Sequence, residues 1–316
     1  PSSHVTAAYT LGLSLSGSGK SENITVPVES SAGYVAGLIN EKAKTLGVEA
    51  SASTRIKLSA PNYDGIISFT LESKQGINNA VAISGSVLTN NLTNLANSIN
   101  NFTGRTGVKA NLSSDLKHLI LENEDGDDIK ITNFTSSNTT NALTINTTGL
   151  GGSAGTGITS TGHGLSTGDK VIYTAGGTAL NNLTSGTTYF AIKVDNNNFR
   201  LASSLSNASG GTALTIGGSG NGNASDKFII PVNLEILSND YTTTSQSVDM
   251  DGLSFKAARF SGEVKIESSS SVVSTNDGGS TTVTSSTNAL EDGFLSISSS
   301  STGEIKTIKP VVLDGD

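Results

Sequence analysis

The chain has 316 residues, of which 34% are hydrophobic, 5% aromatic and 15% charged, with a net charge of −8 and a pI of about 4.9. The acidic balance, without a lysine or arginine cluster, argues against nucleic-acid binding. No apolar run reaches the roughly 20 residues of a membrane helix, and the lack of cysteine excludes disulfides, thiolate catalysis and cysteine-ligated zinc. Low charge with many Val, Ile and Thr residues favours a folded, strand-rich protein.

An internal repeat with an offset of 60 residues occupies the first part of the chain. Each copy opens with two alternating, strand-like segments, Tyr9–Leu15 and Asn23–Val28 in the first copy and Ile66–Leu71 and Ala80–Val87 in the second. The identities that define the offset are Thr10/Thr70, Leu11/Leu71, Ala36/Ala96, Ile39/Ile99, Asn40/Asn100, Gly47/Gly107, Val48/Val108 and Ala50/Ala110.

An amphipathic helix follows the strands in each copy, near Ala32–Thr45 and Thr89–Thr103. Ser31 and Thr89 are the predicted N-caps, because their hydroxyl groups can accept a hydrogen bond from the first helical turn. The residues predicted to share the apolar side are Tyr34, Val35, Leu38, Ile39 and Leu46 in the first copy and Leu92, Leu95, Ala96, Ile99 and Phe102 in the second.

A glycine ends each helix, and a pair of strands follows each glycine. Glycine adopts the left-handed conformation of a helix C-terminus without a Cβ penalty. Each unit is therefore predicted to be a hairpin, a helix and a second hairpin, with the helix lying on one face of a small antiparallel sheet. The glycines and their strand pairs are Gly47 with Val48–Ser53 and Arg55–Ala60, and Gly107 with Val108–Leu112 and Leu116–Glu122.

Glycine-rich connectors at Gly149–Gly157 and Gly217–Gly222 flank a segment of different character. This arrangement predicts a small β domain inserted into a host domain. Its strands are predicted at Lys170–Thr174, Tyr189–Val194 and Phe199–Ala202. Strands resume beyond it at Phe228–Leu237, Leu253–Phe260, Gly262–Glu267, Gly293–Ser298 and Glu304–Leu313.

The predicted fold class is mainly β with two short helices, a β-rich α+β protein with antiparallel sheets and several domains. Residues 1–68 and 69–155 are the two repeat units, 156–222 the inserted β domain, and 223–316 the returning strands that complete the host domain. We expect the strand-like segments Thr6–Leu15 and Ile305–Leu313 to pair or to lie side by side, because a domain that leaves and re-enters a scaffold at one place has adjacent ends.

The repeated helix unit resembles the IN motif of the variable region of bacterial flagellins and of the filament-cap protein. The resemblance covers roughly Tyr9–Phe134, and the first copy is the looser match. It is carried by Leu92, Leu95, Ala96, Ile99, Asn100, Thr106-Gly107-Val108, Ala110, Leu119-Ile120-Leu121 and Asp125-Gly126-Asp127-Asp128-Ile129, and in the first copy by Ala36, Ile39, Asn40, Leu46-Gly47-Val48 and Ala50.

The resemblance implies a structural, non-enzymatic protein: the surface-exposed outer domains of an extracellular flagellar filament subunit. Its partners would be neighbouring subunits in a homopolymeric filament, contacted through long helices that are not present here, so the isolated chain is expected to be monomeric. The segment Gly162–Val171 is similar to a β module of phage tail proteins. A phage tail or surface adhesin module that binds a receptor glycan is therefore the alternative, together with a filament-cap protein.

No catalytic, cofactor-binding or metal-binding residue is predicted. Gly151–Gly155 spells a nucleophile-elbow motif but lies in a connector, and Gly17–Ser21 lacks the first glycine of a phosphate-binding loop. His4, His118 and His163 have no partner at helical spacing.

The acidic run Glu122–Asp128 has two interpretations. An Asp-Gly pair between apolar strands favours a tight, solvated hairpin turn, and a weak cation site is the alternative because the run concentrates oxygen ligands.

Overall fold

The computed structural model describes residues 8–15, 20–73, 79–137, 143–144, 157–216, 225–238, 241, 243–252, 256–268, 272–276, 306–308 and 312–314. Over these residues the protein is mainly β, with several antiparallel sheets and four short α-helices. The predicted fold class is thus confirmed. Its basis is the two-residue period of the strands: buried and more exposed residues alternate along Val81–Val87, for example.

Short strands joined by turns make up most of this part of the chain. The helices are α1 (Ala32–Lys42), α2 (Thr93–Asn100), α3 (Thr103–Thr106) and α4 (Leu205–Ser209), and a 3-10 turn covers Lys44–Leu46. The strands are β1 (Tyr9–Leu15), β2 (Ser21–Val26), β3 (Val48–Ser59), β4 (Gly65–Glu72), β5 (Val81–Val87), β6 (Lys109–Leu112), β7 (His118–Asn123), β8 (Ile129–Ser136), β9 (Leu143–Thr144), β10 (Ile158–Thr159), β11 (Lys170–Thr174), β12 (Thr188–Lys193), β13 (Asn198–Ala202), β14 (Lys227–Ile229), β15 (Val232–Leu237), β16 (Thr243–Met250), β17 (Ala258–Phe260), β18 (Glu263–Ser268), β19 (Val272–Asn276), β20 (Lys306–Ile308) and β21 (Val312–Asp314).

The described strands form four antiparallel sheets. Their orders are β19-β1-β2, β21-β17-β8-β4-β5, β16-β15-β3-β18-β20 and β10-β13-β12-β11-β14-β9, and β7 joins the third sheet by pairing with both β3 and β6. Side chains between these sheets and the helices form three separate hydrophobic clusters. The largest contains α2 and the second repeat, another contains α1 and the first repeat, and the last lies in the inserted domain.

Both predicted helices are present, and their burial follows the 60-residue repeat. The sequence of buried, intermediate and exposed residues over 32–40 is identical to that over 92–100. Gly47 and Gly107 both adopt the left-handed conformation, with φ of 66° and 74°, as the sequence predicts. They end the 3-10 turn and α3, however, because α1 and α2 stop earlier, at Lys42 and Asn100. Ser31 is the N-cap of α1, and its hydroxyl oxygen accepts a hydrogen bond from the Tyr34 amide at 3.2 Å.

Three details of the helices differ from the sequence-based prediction. The helix α2 begins at Thr93, whose amide donates to Asn91 Oδ1 at 2.8 Å, so Thr89 is not its N-cap. Tyr34 is 48% exposed because it lies outside the buried arc of α1. Phe102 is 38% exposed because α2 has already ended at Asn100.

The predicted hairpin between Val48–Ser53 and Arg55–Ala60 is wrong, because these residues form the single strand β3. The equivalent hairpin predicted in the second repeat is present, since β6 and β7 form an antiparallel pair. Leu116 lies in the turn before β7 with φ of 62° rather than in the strand. A long strand results in the first repeat because both halves of β3 find partners elsewhere: β18 along Val48–Ser53, and β7 and β15 beyond it.

The C-terminal strands also differ from the prediction. The single strand predicted at Phe228–Leu237 is instead two strands, β14 and β15, which belong to different sheets. The sequence patterns do not predict β16. The two edges of β1 are taken by β2 and β19, whereas β20 and β21 pair with β18 and β17. The described parts of the two chain ends therefore do not pair with each other, and the predicted strand Gly293–Ser298 lies outside the described residues.

The inserted domain has its own sheet and its own core. The sheet includes β9 and β14, which lie outside the predicted 156–222 segment. Polar contacts fix it to the host: Asn62 Nδ2 donates to Asp169 Oδ2 at 2.6 Å, and Lys170 Nζ binds both oxygens of Asp249 at 2.9 Å. Tyr63 contacts the cores of both the host and the inserted domain. The predicted division of the chain into four segments stays a prediction.

Candidate functional site

His163 is buried in the inserted domain, where both of its ring nitrogens are engaged. Nδ1 accepts a hydrogen bond from the Leu165 amide at 2.9 Å, and Nε2 lies 2.9 Å from the Asp195 carbonyl oxygen. The ring also packs edge-on against Phe199, with 5.2 Å between centroids. Since an imidazole with an accepting Nδ1 carries its proton on Nε2, His163 joins two loops and has no nitrogen available for proton transfer to a ligand.

The other sequence candidates are not brought together. His118 lies at the start of β7, 3.9 Å from Asp115, and is partly exposed. His4, the Gly151–Gly155 motif and Gly17–Gly19 of the Gly17–Ser21 segment lie outside the described residues. Over the described ranges, no cluster of three or more His, Asp or Glu side chains could hold a metal ion. No helix in these ranges is long and apolar enough to cross a membrane.

The acidic run Glu122–Asp128 forms a turn, and Glu124 and Asp125 are exposed as predicted, but the predicted solvated hairpin is wrong because β7 and β8 pair with other strands and the rest of the run is largely buried. Glu122, Asn123 and Asp128 are buried. The turn packs against the N-terminus of α1: the Gly33 amide donates to the Gly126 carbonyl oxygen at 2.9 Å. We call the contact between this turn and residues 31–33 the repeat junction, because it joins the two units.

Two glycines permit the close approach at the repeat junction. A Cβ on Gly33 would overlap the carbonyl oxygen of Asp125, and a Cβ on Gly126 would overlap Ala52. Gly126 also has φ of 74°, which disfavours other residues. The hydroxyl of Ser31 donates to Asp127 Oδ1 at 3.3 Å while it caps α1. The negative charge of Asp127 thus lies near the positive end of the helix dipole.

Two ion pairs flank the repeat junction, one partly buried and one buried. Arg55 Nε lies 2.6 Å from Glu122 Oε1, and the guanidinium stacks on the Tyr241 ring at 4.6 Å. Arg259 Nε lies 2.5 Å from Asp128 Oδ2, and these side chains are only 9% and 6% exposed. The carboxylates of the run therefore point to separate partners instead of converging on one point, which disfavours the weak cation site.

The surroundings of Asp128 favour the neutral form of its carboxyl group. Burial raises its pKa to about 6, against the opposing effect of Arg259. The other oxygen, Oδ1, is buried and has no hydrogen-bond partner within the described part of the chain. A buried carboxylate oxygen without a partner favours the neutral form.

Acidification should therefore stabilise the protein through Asp128. Because its pKa is higher in the folded state than the ordinary value of 3.8, this contribution is fully present below pH 4 and is lost as the pH rises through about 6. We expect the gain in unfolding free energy from pH 7.5 to pH 5 to be smaller in Asp128→Asn by about 1 kcal/mol, because pH 5 lies one unit below the folded-state pKa. Urea unfolding at both pH values measures it. The exposed Asp115→Asn is the control, since the pKa of Asp115 is lowered, and equal pH dependence in Asp128→Asn and the wild type would contradict the assignment.

An asparagine clamp recurs in both repeats, and the sequence-based prediction missed it. Asn40 Nδ2 donates to the Ala50 carbonyl oxygen at 2.7 Å and Asn40 Oδ1 accepts from the Ala50 amide at 2.7 Å. Asn100 makes the same two bonds to Ala110, at 2.9 and 2.8 Å. The side-chain amide thus mimics a neighbouring strand at the end of each helix. The sequence does contain the signal, because the Asn-to-Ala spacing is identical in the two copies.

Removing one half of the clamp should be informative. Asn100→Asp keeps the acceptor for the Ala110 amide but loses the donor, and it places a charge beside a carbonyl oxygen. We expect Asn100→Asp and Asn100→Ala each to lower the unfolding free energy by about 1–3 kcal/mol, because a backbone polar group loses its partner. Thermal and urea unfolding measure the loss. Asn97→Ala, on the exposed side of α2, should change stability by less than about 0.5 kcal/mol, and an equal loss in both variants would exclude the clamp.

Comparison of the sequence with models of known protein families and with curated proteins gives no significant match.

Proposed function

We propose that this chain is the surface-exposed outer region of a bacterial flagellar filament subunit, with a structural and non-catalytic role outside the cell. The observation that carries the proposal is the duplicated helix–strand unit with an asparagine clamp in each copy, at Asn40 and Asn100. These residues belong to the motif on which the resemblance to flagellin rests. Two copies at one offset with the same hydrogen bonds support a common modular origin.

The physical properties of the molecule suit this role. A region displayed outside the cell must keep its shape without a partner, and this chain has no cysteine with which to form a disulfide. The repeat junction provides a different connection, through the backbone hydrogen bond from Gly33 to Gly126 and the side-chain hydrogen bond from Ser31 to Asp127. Its neighbours in the assembly would be copies of the same subunit, joined through regions outside this chain.

The inserted domain favours a second candidate, a phage tail or surface adhesin module that binds a receptor glycan. It has a six-stranded sheet and a core of its own, and its loops are fixed by His163. A self-contained unit of this kind could be carried by several scaffolds. Immunogold labelling distinguishes the two candidates.

Immunogold electron microscopy on intact cells of the source bacterium tests the proposal. Antibodies raised against the purified chain should label the flagellar filament along its whole length, and deletion of the gene should abolish motility. Label only at the filament tip would instead indicate a cap protein, and label on phage tails would favour the second candidate. Sedimentation of the purified chain should show a monomer, and ordered polymers would contradict a polymerisation interface outside this region.

A further inference from the structure

The two repeats have the same arrangement of strands, but only the second is continuous in sequence. In the second repeat β4, β5, α2, β6, β7 and β8 follow one another, with β7 paired to β6 and β8 paired to β4. In the first repeat β1, β2, α1 and β3 occupy the same order. The strands that pair with the first half of β3 and with β1 are β18 and β19, from near the other end of the chain.

The registers show that β18 and β19 take the places of β7 and β8. Ile266 follows Leu121 by 145 residues, and Asn276 follows Ile131 by the same number. One offset of 145 residues therefore relates β18 to β7 and β19 to β8, although the chain between β3 and β18 contains the second repeat and the inserted domain. Ala110 pairs with Leu121 between β6 and β7, as Ala50 pairs with Ile266 between β3 and β18. Likewise, Leu71 pairs with Ile131 between β4 and β8, as Leu11 pairs with Asn276 between β1 and β19.

The strand β18 also completes the core of the first repeat. Val264 and Ile266 are buried in the cluster that contains Val35 and Ile39 of α1 and Leu13 of β1. The core of the second repeat is a separate cluster. Without β18, the apolar face of α1 would lose part of its cover and the first half of β3 would lose a row of hydrogen bonds, both of which cost free energy.

We infer that β18 and β19 form a detachable clasp, so that the described residues 8–15, 20–53, 263–268 and 272–276 close and open as one cooperative unit, separately from the second repeat. The chain enters the clasp at Gly262, where a Cβ would overlap the Thr54 hydroxyl. The first repeat is thus completed only by a segment distant in sequence, whereas the second is completed by strands that follow directly. Local pairing forms faster than distant pairing, because loop closure costs more entropy for longer loops.

Native-state hydrogen exchange of the full chain, read by mass spectrometry, tests the clasp. In Ile266→Ala, amides of α1, β1 and β2 should exchange roughly thirtyfold faster or more, as for truncation of a buried isoleucine in a packed core, while α2, β4 and β5 keep their rates. The matched variant Leu121→Ala should do the reverse. Acceleration of both repeats to the same extent in Ile266→Ala would overturn the inference, and so would acceleration confined to β18.

Two further measurements keep the test decisive if Ile266→Ala does not fold. Ile266→Val removes a single methyl group and should shift the same amides in the same direction by a smaller factor. In wild-type refolding with pulsed labelling, amides of α1 should become protected together with those of β18 and after those of α2. Protection of α1 before β18 would show that the first repeat closes without the clasp.

Discussion

Ile99→Ala is expected to lower the unfolding free energy by about 2–5 kcal/mol, because the residue is fully buried and its removal leaves a cavity. Ile99 lies with Leu95 and Val108 in the core of the second repeat. Urea unfolding monitored by circular dichroism measures the loss. A change of a few tenths of a kcal/mol would mean that the buried face of α2 is wrongly assigned.

The equivalent residue in the first repeat provides a matched variant. Ile39 is fully buried in a different cluster, so Ile39→Ala should cost a similar amount. Since the two sites share no core contacts, the double variant should lose the sum of the two single losses to within about 0.5 kcal/mol. Strong non-additivity would show that the two cores are coupled through the repeat junction.

Arg259→Met is expected to destabilise the protein by about 3–5 kcal/mol, because it leaves Asp128 buried without its charged partner. The loss should be smaller at pH 5 than at pH 7.5, since a protonated Asp128 no longer needs a cation. Thermal and urea unfolding at both pH values measure the effect.

A nearby exposed pair is the control for Arg259. Lys130 lies opposite Arg259 in the sheet. Its Nζ forms an ion pair with Glu72 Oε1 at 3.4 Å, and the two side chains are 31% and 36% exposed. Lys130→Met should cost no more than about 1 kcal/mol, because water already screens that pair. The double variant Asp128→Leu/Arg259→Met should recover most of the loss, since apolar residues can replace a buried ion pair. Failure of the double variant to recover would mean that Arg259 acts through packing, not through its charge.

Local patterns in the sequence determined the elements that depend on neighbouring residues. The helices α1 and α2, the left-handed residues Gly47 and Gly107 and the strands β1, β4 and β5 follow from periodicity and from the conformational freedom of glycine. The 60-residue repeat likewise follows from identities at one offset. These features need no knowledge of the tertiary structure, because hydrophobic spacing and backbone preference act within a few residues.

Tertiary structure alone decided what the strands pair with and which polar groups are buried. The single strand β3 forms because β18 arrives from near the far end of the chain, and no local signal marks that pairing. The acidic run is predicted as a solvated turn from Asp125 and Gly126, yet it is held in the repeat junction by Ser31 and Gly33. Distant partners change the free energy of a charged or edge-strand residue by more than its local preference does, so these outcomes depend on the folded chain as a whole.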